Sequence, residues 1–319
     1  MDGLAALVLT IAYVFGLVAL GLGAGTTRLL KPEVGDALTE FVNVVALPVL
    51  MFRTMTSANF GAAAPWLLWS AYFLSAAIVW ALGQFVTAYV FRRERKAAIV
   101  GGMTASYSNI VLLGLPFMQS TIGHDGVSVL SLIIAVHLPL MLGAAAIQFA
   151  LAEREAGGRV DARREVVAFV NALAGNKLVV GILLGLAWRL TGLPLPSLAE
   201  RMVDTIAAMA GPLALFSMGM GLLRFGISAN FMPALTLSLI KLFVLPALVM
   251  GAALLLGLPP LAAKAAVVSA AMPTGINPYL FAVKYGTGHA LASNALTLGT
   301  VIAVVSTGAW LAAATAVFG

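Results

Sequence analysis

Ten apolar runs follow one another along the 319-residue sequence, and this repetition constrains the fold more than any single motif does. A helix needs about 20 residues to cross roughly 30 Å of hydrocarbon, and most of the runs have about that length. The runs lie at residues 4–25, 37–52, 65–91, 97–122, 127–151, 177–190, 203–223, 233–256, 261–284 and 291–318. Only 9% of the residues are charged, against about 25% in soluble proteins, so we predict an all-α polytopic membrane protein.

A polar stretch at 153–176 separates five runs from five others. We therefore predict a first five-helix repeat at 1–152, a cytoplasmic linker at 153–176 and a second repeat at 177–319. Because five spans reverse the direction of the chain, the two halves must be inverted relative to each other. A weak similarity is visible between Ala-Leu-Pro-Val-Leu-Met-Phe at 46–52 and Ala-Gly-Pro-Leu-Ala-Leu-Phe at 210–216. The first run has no basic segment before it, which favours a retained helix over a signal peptide.

Basic residues gather on one side of this topology. Thirteen lie on one side: Arg28, Lys31, Arg92, Arg93, Arg95, Lys96, Arg154, Arg159, Arg163, Arg164, Lys177, Arg224 and Lys284. The other side has Arg53, Arg189, Arg201 and Lys264. The positive-inside rule then predicts a cytoplasmic linker and two outer termini. The net charge of +6 follows from this topology, so no nucleic-acid partner is expected.

Two of the predicted spans are interrupted by helix-breaking residues. In span four, Ser-Tyr-Ser-Asn at 106–109 is followed by Gly-Leu-Pro at 114–116, and span nine contains Met-Pro-Thr-Gly-Ile-Asn-Pro-Tyr at 272–279. Proline removes a backbone donor, and in hydrocarbon the freed groups need partners in protein or in a watery cavity. Paired interruptions, one in each half, are typical of a transporter's binding site. We take Gly114, Pro116, Pro273, Gly275 and Pro278 to shape the backbone for a close crossing of the two helices.

The predicted spans contain a cation but no deeply placed acid. Lys241, in span eight, would cost about 2.5–3.5 kcal/mol if it faced lipid, so it should point inward. It is either a structural lysine bonded to carbonyls of a broken helix or a group that acts on substrate or coupling. A buried cation and helix N-termini at the breaks favour an anion, most simply a carboxylate. His137 could titrate during proton coupling, or it could be bonded to a backbone carbonyl near Pro139.

Polar side chains at the breaks are the candidates for substrate binding. Asn109 and Asn277 can each hydrogen-bond a carboxylate or cap an unwound helix. Ser106, Ser108, Thr274 and Tyr279 could add hydroxyls, although Ser and Thr in membranes often bond their own helix. No metal ligand set or cofactor motif is recognisable, because the sequence has no cysteine and three scattered histidines. We expect Gly181-x-x-x-Gly185 to pack helices, and Trp66, Trp69 and Tyr72 to anchor span three at the membrane interface.

With these motifs the sequence resembles the auxin efflux carrier family, within the superfamily of bile-acid, arsenite and riboflavin transporters. The family includes plant auxin carriers and bacterial malonate and malate permeases. The resemblance covers nearly the whole chain and rests on residues 105–109 with 114–116, 211–220, 241–246 and 271–275. It implies ten helices in two inverted repeats, with broken helices four and nine crossing at Pro116 and Pro273. The span-four asparagine of the family matches Asn109.

The resemblance also implies a mechanism. Spans one, two, six and seven would form a scaffold domain that dimerises, and spans three to five and eight to ten a transport domain that moves as an elevator. The substrate would be a small organic anion, auxin-like or a mono- or dicarboxylate. A sodium-coupled symporter of the bile-acid type is the alternative within transport. An intramembrane enzyme would need a nucleophile with its base, paired aspartates or a metal cluster. The sequence has no His-Glu-x-x-His motif and no pair of aspartates in the predicted spans, so we do not expect an enzyme. A sensor that binds a ligand without transporting it is a further alternative.

Overall fold

The computed structural model describes residues 2–57, 65–155, 175–224 and 231–319, with single positions at 167 and 171. These residues are helical apart from short connections, so the predicted all-α class is confirmed. The twelve helices are α1 (Asp2–Thr26), α2 (Pro32–Thr56), α3 (Pro65–Val90), α4 (Arg95–Ser106), α5 (Ile110–Thr121), α6 (His124–Glu155), α7 (Lys177–Thr191), α8 (Ser197–Gly221), α9 (Met232–Leu255), α10 (Pro260–Ala271), α11 (Asn277–Tyr285) and α12 (His289–Phe318).

Seven helices in the described ranges are long and apolar enough to cross a membrane: α1, α2, α3, α6, α8, α9 and α12. The three other predicted spans correspond to shorter helices. Span four comprises α4 and α5, span six is the 15-residue α7, and span nine comprises α10 and α11. The count of ten spans therefore stays a prediction. Most of the predicted linker at 153–176, with Arg159, Arg163 and Arg164, lies outside the described residues.

Contacts divide the chain into two compact units. Unit 1 comprises Met1–Ala62, Val111–Ala135 and Ala172–Arg224, and unit 2 comprises Ala63–Ile110, Val136–Asn171 and Phe225–Gly319. The four helices of the predicted scaffold, α1, α2, α7 and α8, fall in unit 1, which also contains nearly all of α5 and the start of α6. The division into repeats and into scaffold and transport domains stays a prediction.

Glycines bring the helices of unit 1 into backbone contact. A Cβ atom on Gly181 would lie less than 3 Å from the carbonyl oxygen of Pro48, and one on Gly185 equally close to that of Phe52. The predicted packing role of this glycine pair is confirmed, because α7 can approach α2 only without side chains at these positions. In the same way, Gly21 of α1 faces the Phe216 carbonyl of α8.

These two helix pairs use equivalent positions of the sequence. Gly185 lies 164 positions after Gly21 (185 − 21), and Phe216 lies 164 positions after Phe52 (216 − 52). The contact of span one with span seven thus repeats, in register, the contact of span six with span two. A two-fold axis between the halves would relate span one to span six and span two to span seven, so each of these contacts would be the symmetry mate of the other. The matching positions therefore support the predicted inverted repeat.

Proline in α9 of unit 2 is accommodated by a wide turn and by a neighbouring side chain. Residues Ile240–Val244 form a π-helical turn, which ends two residues before Pro246. Pro246 has no N–H to give to the carbonyl of Leu242, four residues earlier. The indole Nε1 of Trp310, in α12, donates to that carbonyl at 2.7 Å. A tertiary hydrogen bond thus supplies a donor that the helix itself lacks.

Candidate functional site

The two broken helices meet in unit 2. Helix α4 ends at Ser106 and α10 ends at Ala271, and the chain after each is extended. Ser108 pairs with Thr274 in an antiparallel bridge, and the backbone N–H of Asn109 donates to the carbonyl of Pro273 at 2.8 Å. The two extended segments satisfy some of each other's backbone hydrogen-bonding groups. Such pairing allows helices to be broken inside a membrane protein. We call residues 106–109 and 272–277 the crossing.

Proline and glycine shape the span-nine side of the crossing. A Cβ atom on Gly275 would lie 3.0 Å from the ring of Tyr107, so glycine allows the ring to lie close against the backbone. Pro278 occupies the first turn of α11, where a helix has no partner for an N–H, so proline is tolerated there. Pro273 supplies the carbonyl that accepts from Asn109. The backbone roles predicted for these three residues agree with their positions.

The span-four side differs from the prediction at Gly114 and Pro116. The break is confined to residues 107–109, and both residues lie beyond it, inside the continuous helix α5. Residues Ile110–Gly114 form a π-helical turn, and Pro116 follows it in the first turn of regular helix. The wide turn accommodates the proline, so the helix is not interrupted a second time. The structure therefore differs from the expectation that helix four is broken at Pro116, and the backbone-shaping roles of Gly114 and Pro116 stay predictions.

The predicted hydroxyl ligands are buried and differ in their partners. Ser106 Oγ donates to the Gly102 carbonyl of its own helix at 2.8 Å, as membrane serines often do. Ser108 Oγ accepts from the hydroxyl of Tyr72 at 2.9 Å. Thr274 Oγ1, on a residue 3% exposed, has no partner among the described residues. The crossing therefore contains one buried hydroxyl whose hydrogen-bonding capacity is unused.

The two asparagines are the more accessible polar residues of the crossing. Asn109 and Asn277 are each half-buried. The Nδ2 of Asn277 donates to the hydroxyl of Tyr107, which holds the amide against the span-four side. Tyr279 is half-buried as well, but it packs against the hydrophobic cluster around Phe149. The structure thus brings both asparagines to the crossing and gives Tyr279 a packing environment.

Lys241 is 1% exposed, which confirms that it faces the protein interior. Its Nζ donates to the carbonyls of Ala270 and Met272, both at 2.7 Å. These carbonyls end helix α10, where the helix macrodipole places partial negative charge. These contacts agree with the interpretation of Lys241 as a structural lysine bonded to carbonyls of a broken helix. Because an ammonium group has three N–H donors, two carbonyls do not use all of its capacity.

His137 lies among aromatic rings beside the crossing. Its ring centroid is 4.6 Å from that of Tyr107 and 5.8 Å from that of Tyr72. The residue is 1% exposed, and neither ring nitrogen has a partner among the described residues. The predicted hydrogen bond to a backbone carbonyl near Pro139 is therefore wrong, because the imidazole packs against the aromatic rings instead.

The sequence did not identify the two tyrosines that order this site. Tyr72 was predicted to be an interfacial anchor, but it is completely buried and bonds Ser108, so that prediction is wrong. Trp66, in contrast, is exposed, and its role as an interfacial anchor stays a prediction. The available signal was the spacing of Tyr72 from Ser75 and Val79, which places all three on one buried face of α3. Tyr107 belongs to the break motif of span four, but nothing in the sequence predicts a role for it.

A separate cavity of about 680 Å³ lies in unit 1. Apolar side chains of α2, α5 and α8 line most of it, including Leu50 and Pro116. Its polar lining includes Arg53, which pairs with Asp204 at 2.5 Å and with Glu200 at 3.0 Å. The cation of this cavity is therefore balanced by two carboxylates. The cavity falls within the size range of small-molecule sites, roughly 300–1,000 Å³.

A family model described as a membrane transport protein matches residues 6–311, nearly the entire chain. The chain belongs to the auxin efflux carrier family. The family resemblance predicted from the break motifs is thereby confirmed. A comparison with curated proteins gives no match.

Membership in the auxin efflux carrier family makes the chain a membrane transporter, and its apolar helices fit a multi-pass protein. The crossing of α4 and α10 is then the structural feature most like the broken-helix sites of transporters in general. In the described part of the chain, no group of three or more His, Cys, Asp or Glu residues is placed to hold a metal ion.

Proposed function

We propose that this member of the auxin efflux carrier family transports a small organic anion, a mono- or dicarboxylate or an auxin-like acid, and binds its carboxylate at the crossing. One observation carries the proposal: the half-buried amides of Asn109 and Asn277 lie at the meeting point of two broken helices. Amide N–H groups donate well to carboxylates, and an ionised acceptor strengthens such hydrogen bonds.

The charges around the crossing favour an anion. Helix α11 begins at Asn277, so its N-terminal partial positive charge is directed at the site. The C-terminal carbonyls of α10 would repel an anion, but Lys241 binds the carbonyls of Ala270 and Met272 and offsets their partial charge. Both features favour an anion at the crossing. Lys241 then acts on the substrate through the backbone and not by direct contact.

We propose that the chain alternates access by an elevator movement and forms a homodimer through the predicted scaffold, as the family resemblance implies. The membrane would be the bacterial inner membrane, with residues 153–176 on the cytoplasmic side and both termini outside. His137 is the candidate for proton coupling, because its buried ring nitrogens have no partner among the described residues.

Flux measurements in liposomes test the transport proposal. The purified protein is reconstituted, and uptake of labelled malonate, malate and indole-3-acetate is measured with a sodium gradient, with a proton gradient and with neither. We expect saturable uptake of at least one acid above protein-free liposomes. Dependence on sodium would favour the symporter alternative. Tight binding of an acid without any flux would favour a sensor and would contradict the transport proposal.

A further inference from the structure

A second cavity in unit 2, of about 570 Å³, shares none of its lining residues with the crossing. It lies where the connection from α3 to α4, the start of α9 and the connection from α11 to α12 come together. Its polar lining is provided by Arg92, Arg93, Glu94, Thr287 and His289. The cavity plays no part in the proposed transport step, so its chemistry must be explained separately.

The two arginines of this cavity are not held in salt bridges within the described ranges, unlike their neighbours in the sequence. Arg92 and Arg93 form no salt bridge with any residue that the structure describes. The next two basic residues differ, because Arg95 pairs with Glu155 and Lys96 pairs with Glu153. The lining carboxylate, Glu94, accepts a hydrogen bond from the Thr287 hydroxyl at 2.5 Å. Two arginines and one acidic residue therefore line this cavity.

Backbone donors add to this positive character. Helix α12 begins at His289, and its first residues, His289, Ala290 and Leu291, all line the cavity. The first four N–H groups of a helix have no partner within the helix, and they carry partial positive charge. Arginine and free backbone N–H groups together form the donor set that proteins commonly use to bind phosphate.

We propose that this cavity binds a phosphate group, presented by the headgroup of an anionic phospholipid. Large apolar side chains within a few residues of the lining are exposed, with Tyr89 at 72%, Val90 at 61% and Met232 at 55%. In a membrane protein such side chains face acyl chains, which places lipid beside the cavity. The predicted topology puts the cavity on the cytoplasmic side, where basic pockets between helices bind anionic headgroups. A free phosphate ion would use the same donors.

Lipid binding to the full-length protein in detergent tests the proposal. Native mass spectrometry compares phosphatidylglycerol with phosphatidylcholine, and thermal shift measures stabilisation by inorganic phosphate. We expect a preference for phosphatidylglycerol that the double variant R92Q/R93Q weakens about tenfold or more, because charge-assisted hydrogen bonds are lost. The variant R92K/R93K should keep part of the affinity. Stabilisation by inorganic phosphate with the same arginine dependence would also support the site and would identify a soluble source of the phosphate.

The matched control is R28Q/K31Q, which removes two exposed basic residues predicted to lie on the same side of the membrane. Arg28 also resembles Arg92 in backbone conformation, with φ of 57° against 51°. The control should bind phosphatidylglycerol as the wild type does. Equal binding by R92Q/R93Q and the control, with each variant monodisperse and as heat-stable as the wild type without lipid, would overturn the proposal. Failure of transport at the crossing would leave this result unaffected.

Discussion

The side-chain amide of Asn277 donates to the hydroxyl of Tyr107, and this hydrogen bond joins the start of α11 to the break after α4. The bond orients the amide, so the remaining N–H of Asn277 is available to a ligand. Substitution of Asn277 is therefore the most direct test of the proposed binding site.

Asn277→Ala should weaken binding of the transported acid about 10- to 100-fold, since a hydrogen bond to a charged group contributes about 1.5–3 kcal/mol. Calorimetric titration of the identified substrate measures the change. The matched variant Tyr107→Phe removes only the orienting hydroxyl and should cause a smaller loss. Unchanged affinity in Asn277→Ala would show that the amide does not touch the substrate.

Lys241→Met should lower the free energy of unfolding by about 2–6 kcal/mol, because two buried carbonyls each lose a donor worth about 1–3 kcal/mol. Transport should be lost together with stability, as measured by thermal unfolding and liposome uptake. The control is Lys264→Met. In the wild type, Lys264 Nζ donates to the Gly319 carbonyl at the protein surface. A variant of Lys241 with normal thermal stability and no transport would instead indicate a direct role on the substrate.

His137→Phe should leave stability unchanged or slightly raised, since the ring nitrogens make no hydrogen bond with a described residue and phenylalanine keeps the aromatic packing. If His137 couples protons, uptake in this variant should no longer respond to an imposed proton gradient. His124→Phe, at an exposed position beside Ser57, is the control and should keep the response. A retained response in His137→Phe would exclude this residue as the coupling group.

Gly21→Ala and Gly185→Ala should each lower stability by about 1–3 kcal/mol, because the new methyl group would collide with a carbonyl of the facing helix. Gly16→Ala and Gly23→Ala are matched controls, since a Cβ at either position meets nothing within 4 Å. These controls should be neutral or gain up to about 1 kcal/mol from higher helix propensity. Thermal unfolding of the four variants gives the comparison, and equal stability throughout would contradict the packing interpretation.

The apolar runs and helix breakers predicted much of the architecture, because hydrocarbon allows few alternatives to a helix. The inward position of Lys241 and the packing role of Gly181 and Gly185 could also be predicted, since each follows from a single local cost. A charged group avoids lipid whatever the fold of the membrane protein. Small residues likewise mark the places where two helices approach closely.

The incorrect predictions concern residues whose surroundings depend on tertiary contacts or on local helix geometry. Tyr72 has the composition of an interfacial anchor, and only the position of Ser108 shows that its hydroxyl has a buried partner. For His137, a carbonyl and an aromatic cluster were both possible surroundings, and the sequence does not choose between them. At Pro116 the proline alone suggested a break, whereas the preceding π turn keeps the helix continuous. Wide turns of this kind leave no simple signature in composition.

The hydrogen bond from Trp310 to the Leu242 carbonyl makes two distant positions depend on each other. The indole is needed because residue 246 is a proline, and any other amino acid there would restore a backbone donor. Loss of the indole should therefore be costly when proline is present and mild when it is absent. Positions 246 and 310 should consequently show epistasis in the laboratory and covariation during evolution.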